Sequence, residues 1–240
     1  MARSCSALGK SMMGAFRVGL LAILCAGCTP FSMVRDIAAR NPGCLYYTRS
    51  QQKVVALTLD DGPDSTTTPQ ILDALRDNDA RATFFLISSR VKGNDALVVR
   101  AISESHEIGN HMSRNEASIS LTSEEFEESL LEADSVLRRF GSLRWARPGS
   151  GFHNLAIRSA MRRHGYQCAL GSVYPFDPQL PFAGLTTASV LRTVRPGAVI
   201  VLHDGGYKGR NTIKVLPRLL QELRRRGYRV VTLSELIHLP

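Results

Sequence analysis

The stretch VVALTLDDGPD, residues 54–64, decides how the rest of the chain is read. Six apolar or β-branched residues run unbroken into two adjacent acids, Asp60 and Asp61, followed by Gly62-Pro63. An uninterrupted run of that kind suits a central strand buried on both faces. Neighbouring side chains on a strand point to opposite faces, so the two carboxylates should diverge. Two like charges closing an apolar strand cost free energy unless positive charge lies close by. The pair marks a site and calls for a cation.

Working outward from it, the chain alternates strands and helices from residue 53 onward. Strands are expected over 53–59, 82–88, 106–109, 144–146, 168–172, 198–203 and 229–232. Helices are expected over 68–77, 94–104, 122–140, 155–164, 188–193 and 216–226. Pro69 suits a first helical turn, and Thr122 with Glu125 has capping-box spacing, with Gly141 as the stop. Such alternation predicts a parallel sheet, open or closed into a barrel. No repeat, low-complexity tract or linker divides residues 53–240, which read as one domain, with 29–52 as a connecting segment.

The first 28 residues differ in character. Lys10 and Arg17 precede VGLLAILCAGC, an apolar run of signal-peptide length and short for a membrane span. The ending Cys25-Ala26-Gly27-Cys28 resembles a bacterial lipoprotein signal, with Cys28 as the acylated residue. Such a leader implies a periplasmic, cell-envelope or secreted domain, anchored to a membrane where Cys28 is lipidated. Beyond it only Cys44 and Cys168 are left, and whether they pair is open. Of the formal charge of +9, residues 1–40 carry +4, from five Lys/Arg and one acid. Arg224, Arg225, Arg226 and Arg229 concentrate the remainder. They read as a solvated face of the C-terminal helix, and no nucleic acid is expected.

In parallel α/β folds functional residues gather at the C-terminal ends of strands. Four expected strand ends carry polar groups: Asp60-Asp61, Gly109-Asn110-His111, Arg147-Pro148-Gly149-Ser150-Gly151 and His203-Asp204. The segments TLDDGPD, HEIGNHM, ARPGSG and VIVLHDG resemble, in order and spacing, the motifs of the NodB-homology polysaccharide deacetylases, carbohydrate esterase family four. The resemblance spans about residues 53–237. It implies a distorted, incomplete (β/α) barrel that removes acetyl groups from chitin-type oligomers, peptidoglycan or xylan with a divalent metal, often zinc.

Carried over residue by residue, the resemblance makes Asp61 and His111 metal ligands, Asp60 the general base and His203 the general acid. Arg147 would orient Asp60, with Asp177 as the partner of Arg147. Amides near Gly149 and Ser150 would hold the oxyanion. Pro63 would turn the chain after the acids, Leu202 would line a pocket for the acetyl methyl, and Tyr174 and Phe176 would stack on sugar.

Three motifs depart from the family pattern. The second metal histidine, four residues after His111, is replaced by Asn115, a weaker donor for zinc than imidazole. Zn2+ is the expected ion, with Co2+, Mn2+ or Ni2+ left open by Asn115. Glu116 could substitute, or Asn115 could cap a loop without touching metal. Gly149 and Ser150 stand where Pro and an aromatic are usual, and the Asp/Trp motif is matched only by the segment from Gly171 to Asp177. Two other readings follow: a carbohydrate-binding pseudoenzyme whose metal site decayed at Asn115, or a related hydrolase of small amides.

Overall fold

Nine consecutive buried residues, Val54–Gly62, form β2, and every other strand is placed around it. The computed structural model describes residues 31–175 and 183–239. The leader with Cys28, and both Phe176 and Asp177, lie outside the described residues. Eight strands form one sheet in the order β1-β6-β5-β4-β3-β2-β7, with β8 also pairing β2. All the ladders are parallel. They are β1 (Cys44–Leu45), β3 (Ala82–Leu86), β4 (Glu107–Asn110), β5 (Trp145–Ala146), β6 (Gln167–Ala169), β7 (Val199–His203) and β8 (Arg229–Val231).

The sheet curls until its ends approach. Val173, just beyond β6, makes a parallel bridge to Ile200 of β7, and Tyr47 bridges Ala198. This is the expected distorted, incomplete (β/α) barrel. Its strands are short on one side, where β1 and β5 have two residues each. That brevity explains why the strand expected over 168–172 stops at Ala169: the chain leaves β6 to reach β7.

Eight helices cover the sheet in the described residues: α1 (Phe31–Arg40), α2 (Thr68–Asp77), α3 (Asp95–Ser103), α4 (Ser123–Leu137), α5 (Leu155–Arg163), α6 (Ala183–Thr193), α7 (Gly206–Arg225) and α8 (Leu233–His238). The capping box expected at Thr122 is present, with both reciprocal hydrogen bonds to Glu125. Phe126, Leu130, Ala133 and Leu137 of α4 recur every three or four residues and are buried. The segment 29–52 is more than a connection. It holds α1 and β1, and β1 extends the sheet edge by pairing Cys44 with Cys168 and Leu45 with Ala169.

The helix expected over 216–226 starts ten residues earlier, at Gly206. Pro217 lies inside it and forfeits one helical hydrogen bond. Thr212, Val215, Leu216, Leu219, Leu220 and Leu223 make a continuous buried stripe on both sides of that proline, which carries the helix through it. The earlier start matters, because it puts the first turn of α7 beside the acid pair.

His106 precedes β4 and is buried, its ring edge-on to Phe84 with centroids 5.5 Å apart. Its Nδ1 accepts the Ala82 N–H at 3.2 Å. Burial pushes the imidazole down to about 4, against Glu104 and with Arg100 and Arg81 nearby. Between that value and the ordinary one the unfolded chain binds a proton that the native state refuses. Stability should therefore fall as pH drops from about 6.5 to 4, by up to about 1.4 kcal/mol per pH unit. Urea midpoints at several pH values for wild type and His106→Gln check this; the substitution should flatten that part of the profile.

Candidate active site

The two acids do diverge, but a strand irregularity sets their directions. In the β2–β3 ladder Asp60 faces Phe85 and Gly62 faces Leu86, so Asp61 is an extra residue bulged between them. Its φ is 71°, the left-handed region that residues with a Cβ seldom enter. Gly62 is required next: a Cβ there would sit 2.6 Å from Asp204 Oδ2. The bulge leaves Asp60 in register with His203 of β7. Directly paired residues on parallel strands project to the same face, so the Asp60 carboxylate and the His203 imidazole share one side of the sheet.

Asp60 is 6% exposed and meets a guanidinium that is buried almost completely. Arg147 Nη1 donates to Asp60 Oδ1 at 2.5 Å and to Thr58 Oγ1 at 2.9 Å. Its Nε and Nη2 donate to the carbonyls of Ala169 and Leu170, at 3.0 and 2.9 Å. The guanidinium lies over the Phe85 ring, 4.1 Å from the centroid. Thr58 in turn donates to the Ile200 carbonyl at 2.9 Å. Arg147 thus ties β2 to β6 and fixes one rotamer of Asp60. A lone threonine in an apolar strand was the only sequence sign of Thr58's part.

Asp61 faces different partners. His111 Nδ1 lies 2.7 Å from the Arg147 carbonyl, which can only accept, so Nδ1 carries the proton. Its Nε2 then faces Asp61 Oδ1 at 3.5 Å. Lys208, from the first turn of α7, donates to Asp61 Oδ2 at 2.8 Å. Arg90 Nη1 donates to the Asp61 carbonyl. Burial alone raises the Asp61 carboxyl, but His111 and Lys208 outweigh it and hold it well below the usual range. The His111 ring nitrogen and the Asp61 carboxylate oxygen face each other across 3.5 Å, a spacing at which one cation could meet both. Carboxylate and imidazole are zinc-type donors, so these two residues fit a divalent metal.

The third expected ligand is placed differently. Asn115 is exposed on the loop after His111, whereas Asp61 and His111 are each 5% exposed. Its side chain makes no hydrogen bond to either of them among the described residues, and Glu116 is likewise exposed. No group of three His, Cys, Asp or Glu gathers as a metal-binding set among the described residues.

The other expected site residues vary in placement. Pro63 is buried behind the acids. Gly149 packs its backbone on Glu116, whose carbonyl oxygen would lie 2.0 Å from any Cβ, so the bulkier residue usual there has no room. The Gly149 N–H donates to Ser118 Oγ at 2.8 Å and is spent there rather than aimed at an oxyanion. Ser150 is exposed with φ 63°. Leu202 has no accessible surface and packs in the main apolar core, so it offers no pocket wall. Tyr174 is partly buried, and burial pushes its phenol up to about 12, with Arg147 and Asp60 both within electrostatic range. Asp177 lies outside the described residues; the hydrogen bonds given above occupy Arg147 without it.

Two further acids lock the first and last motifs together. Asp204 is fully buried and accepts from Thr67 Oγ1 at 2.8 Å and Thr68 Oγ1 at 2.6 Å. Burial pushes its carboxyl up to about 6 against those hydrogen bonds. Asp64 accepts the Gly206 N–H at 2.9 Å, which fixes the start of α7. The site is therefore an ion-paired carboxylate beside an imidazole, next to a second carboxylate with its own imidazole and ammonium. A parallel half-barrel carries the carboxylates and imidazoles at strand ends and the ammonium on the first turn of α7, the arrangement of a hydrolase of the deacetylase class.

The chain belongs to the polysaccharide deacetylase family, whose model matches residues 48–169. A peptidoglycan-N-acetylglucosamine deacetylase of Bacillus cereus is 37% identical over 196 residues, covering 78% of this chain and 90% of that protein. A chitooligosaccharide deacetylase of Bradyrhizobium sp. is 31% identical over 211 residues, covering 82% and 94%. A family-four pseudoenzyme from Bacillus anthracis superimposes with a TM-score of 0.75 at 25% identity, covering 82% of this chain and 69% of that one.

Removing the Arg147 side chain should strand Asp60 as a buried, unpaired carboxylate. Arg147→Met is expected to cost about 3–5 kcal/mol in urea denaturation, and adding Asp60→Asn should recover part of it.

Proposed function

We propose that this protein is a hydrolase that removes acetyl groups from an N-acetylated amino-sugar polymer or oligomer of the peptidoglycan or chitin type. The observation that carries the reading is the Asp60–Arg147 ion pair set in register with His203. The two deacetylases named above are named for those substrates, and xylan-type O-acetyl esters are the less favoured linkage. Asp60, held by Arg147, removes a proton from water as it attacks the acetyl carbonyl. His203 delivers a proton to the leaving nitrogen as the C–N bond breaks. Acetate and a free amine result.

Arg147 is a positioning residue: its guanidinium faces Asp60 and leaves the other carboxylate oxygen for water. Asp61 and His111 would hold the divalent metal on which family members depend. When bound, such an ion supplies Lewis acidity to the acetyl carbonyl. Zinc suits a carboxylate and an imidazole, and Asn115 would join only if its loop turned inward. Tyr174, half-buried beside the Asp60–Arg147 pair, is placed to border a sugar ring.

A second reading has one observation behind it. The exposed Asn115 leaves the metal site a donor short, and a pseudoenzyme shares the fold. In that case the groove binds carbohydrate without cleaving it. Acetate release from N-acetylated chitin oligomers and from peptidoglycan, with excess Zn2+ or Co2+, separates the two. Wild type should release acetate, and Asp60→Asn and His203→Ala should each lower the rate by about 10²–10⁴. Rates unchanged by Asp60→Asn would defeat the enzymatic reading.

The basic and apolar leader ending at Cys28 supports an extracytoplasmic location, with a lipid on Cys28 as membrane anchor. Fractionation of expressing cells should place wild type in the membrane and release Cys28→Ser from it. An unchanged soluble cytosolic pool would count against the anchor.

A further inference from the structure

Lys208 has no role in the chemistry above, yet it sits on the residue expected to bind metal. Its ammonium donates to Asp61 Oδ2 at 2.8 Å, while His111 Nε2 faces the other oxygen at 3.5 Å. The Asp61 side chain is 6% exposed and that of Lys208 34% exposed. The contact is built, not incidental. Asp64 anchors the Gly206 amide, Gly205 holds a φ of 142° against the Asp61 carbonyl, and Lys208 follows in the first turn of α7. A surface ion pair contributes little, but here one partner is buried, and an uncompensated buried carboxylate is costly.

Catalytic zinc sites take three protein ligands. Among the described residues this chain brings in two, Asp61 and His111, and an exposed amide, Asn115, stands at the expected third position. The donor set has one imidazole where the family pattern has two, and its carboxylate carries an ammonium. We propose that Lys208 is a tethered cation that stands in for part of the metal's charge. It neutralises Asp61, keeps the two-donor site assembled without an ion, and holds divalent affinity down by placing like charge beside the incoming ion. This rests on the reading of Asp61 and His111 as the metal-facing pair. It goes beyond that reading in assigning this site weak, exchangeable occupancy set by a residue outside the motifs.

The consequence has a sign that an ordinary supporting lysine would not give. Neutralising Lys208 should tighten divalent binding even though it removes a hydrogen bond from a ligand. Like-charge repulsion across a few ångströms at a partly buried site makes the expected gain at least about tenfold.

The experiment is calorimetric titration of metal-stripped protein with Zn2+ and with Co2+, comparing wild type, Lys208→Met, Lys208→Arg and Asp61→Asn. Lys208→Met should bind at least about tenfold tighter than wild type, Lys208→Arg should match wild type, and Asp61→Asn should abolish binding. Equal or weaker binding by Lys208→Met overturns the proposal. Thermal unfolding in EDTA gives a second readout. Lys208→Met should melt below wild type and regain stability with Zn2+, while Lys208→Arg should not differ from wild type. An unchanged melting temperature for Lys208→Met in EDTA also overturns it. Neither readout uses deacetylation, so an inactive wild type would sink the proposed function and leave this inference standing on its own data.

Discussion

Two adjacent carboxylates are buried at the end of the central strand, and the site is arranged around neutralising them separately. Strand geometry alone would send Asp60 and Asp61 to opposite faces. The bulge and the left-handed backbone at Asp61 set where they go: one toward Arg147 and His203, the other toward His111 and Lys208. Each acid has a cationic partner of its own, which is the condition for burying both. The partners arrive from four different segments, so the charge requirement also specifies how the ends of β2, β4, β5 and β7 are packed. Gly62, lodged against Asp204, is the point where that packing leaves no space for a side chain.

Much of this was legible in the sequence because it follows short-range rules. The apolar run into Asp60-Asp61, the Thr122–Glu125 capping box and the polar residues after each strand are local patterns; the strand–helix alternation pointed to a parallel sheet, and the half-barrel followed from the family resemblance. What was not legible depends on partners distant in the chain. Pro217 falls inside α7 because a buried leucine stripe outweighs one lost hydrogen bond, and that displaced the helix start past Lys208. Thr58 looked like an ordinary strand residue until Arg147 came to lie against it. The Gly149 amide looked available until Ser118 took it. Leu202 sits next to His203 in sequence, but alternation turns it into the core.

The position most open to chemistry is where the motif pattern breaks. Asn115 is exposed while its expected co-ligands are buried, and among the described residues no third acid or imidazole takes its place. The Asp60–Arg147 pair, in contrast, is held by four hydrogen bonds from the guanidinium, one to Asp60 and three to Thr58, Ala169 and Leu170. Proton transfer and charge stabilisation are thus supported to different degrees within one site, the first by a rigid ion pair and the second by a two-donor set and a lysine. On the proposal made for Lys208, the fold would outlast loss of a metal, since the ammonium already compensates Asp61.

The central claim is that the two acids do separate work, Asp60 for the proton and Asp61 for the cation. Its most direct test is Co2+ titration of Asp60→Asn alongside Asp61→Asn, with acetate release measured on the same samples. Asp60→Asn should keep wild-type metal affinity while losing hydrolysis, and Asp61→Asn should lose both. Metal affinity lost equally in the two variants would show that the carboxylates act as one ligand pair and would contradict the division of labour drawn from the bulge.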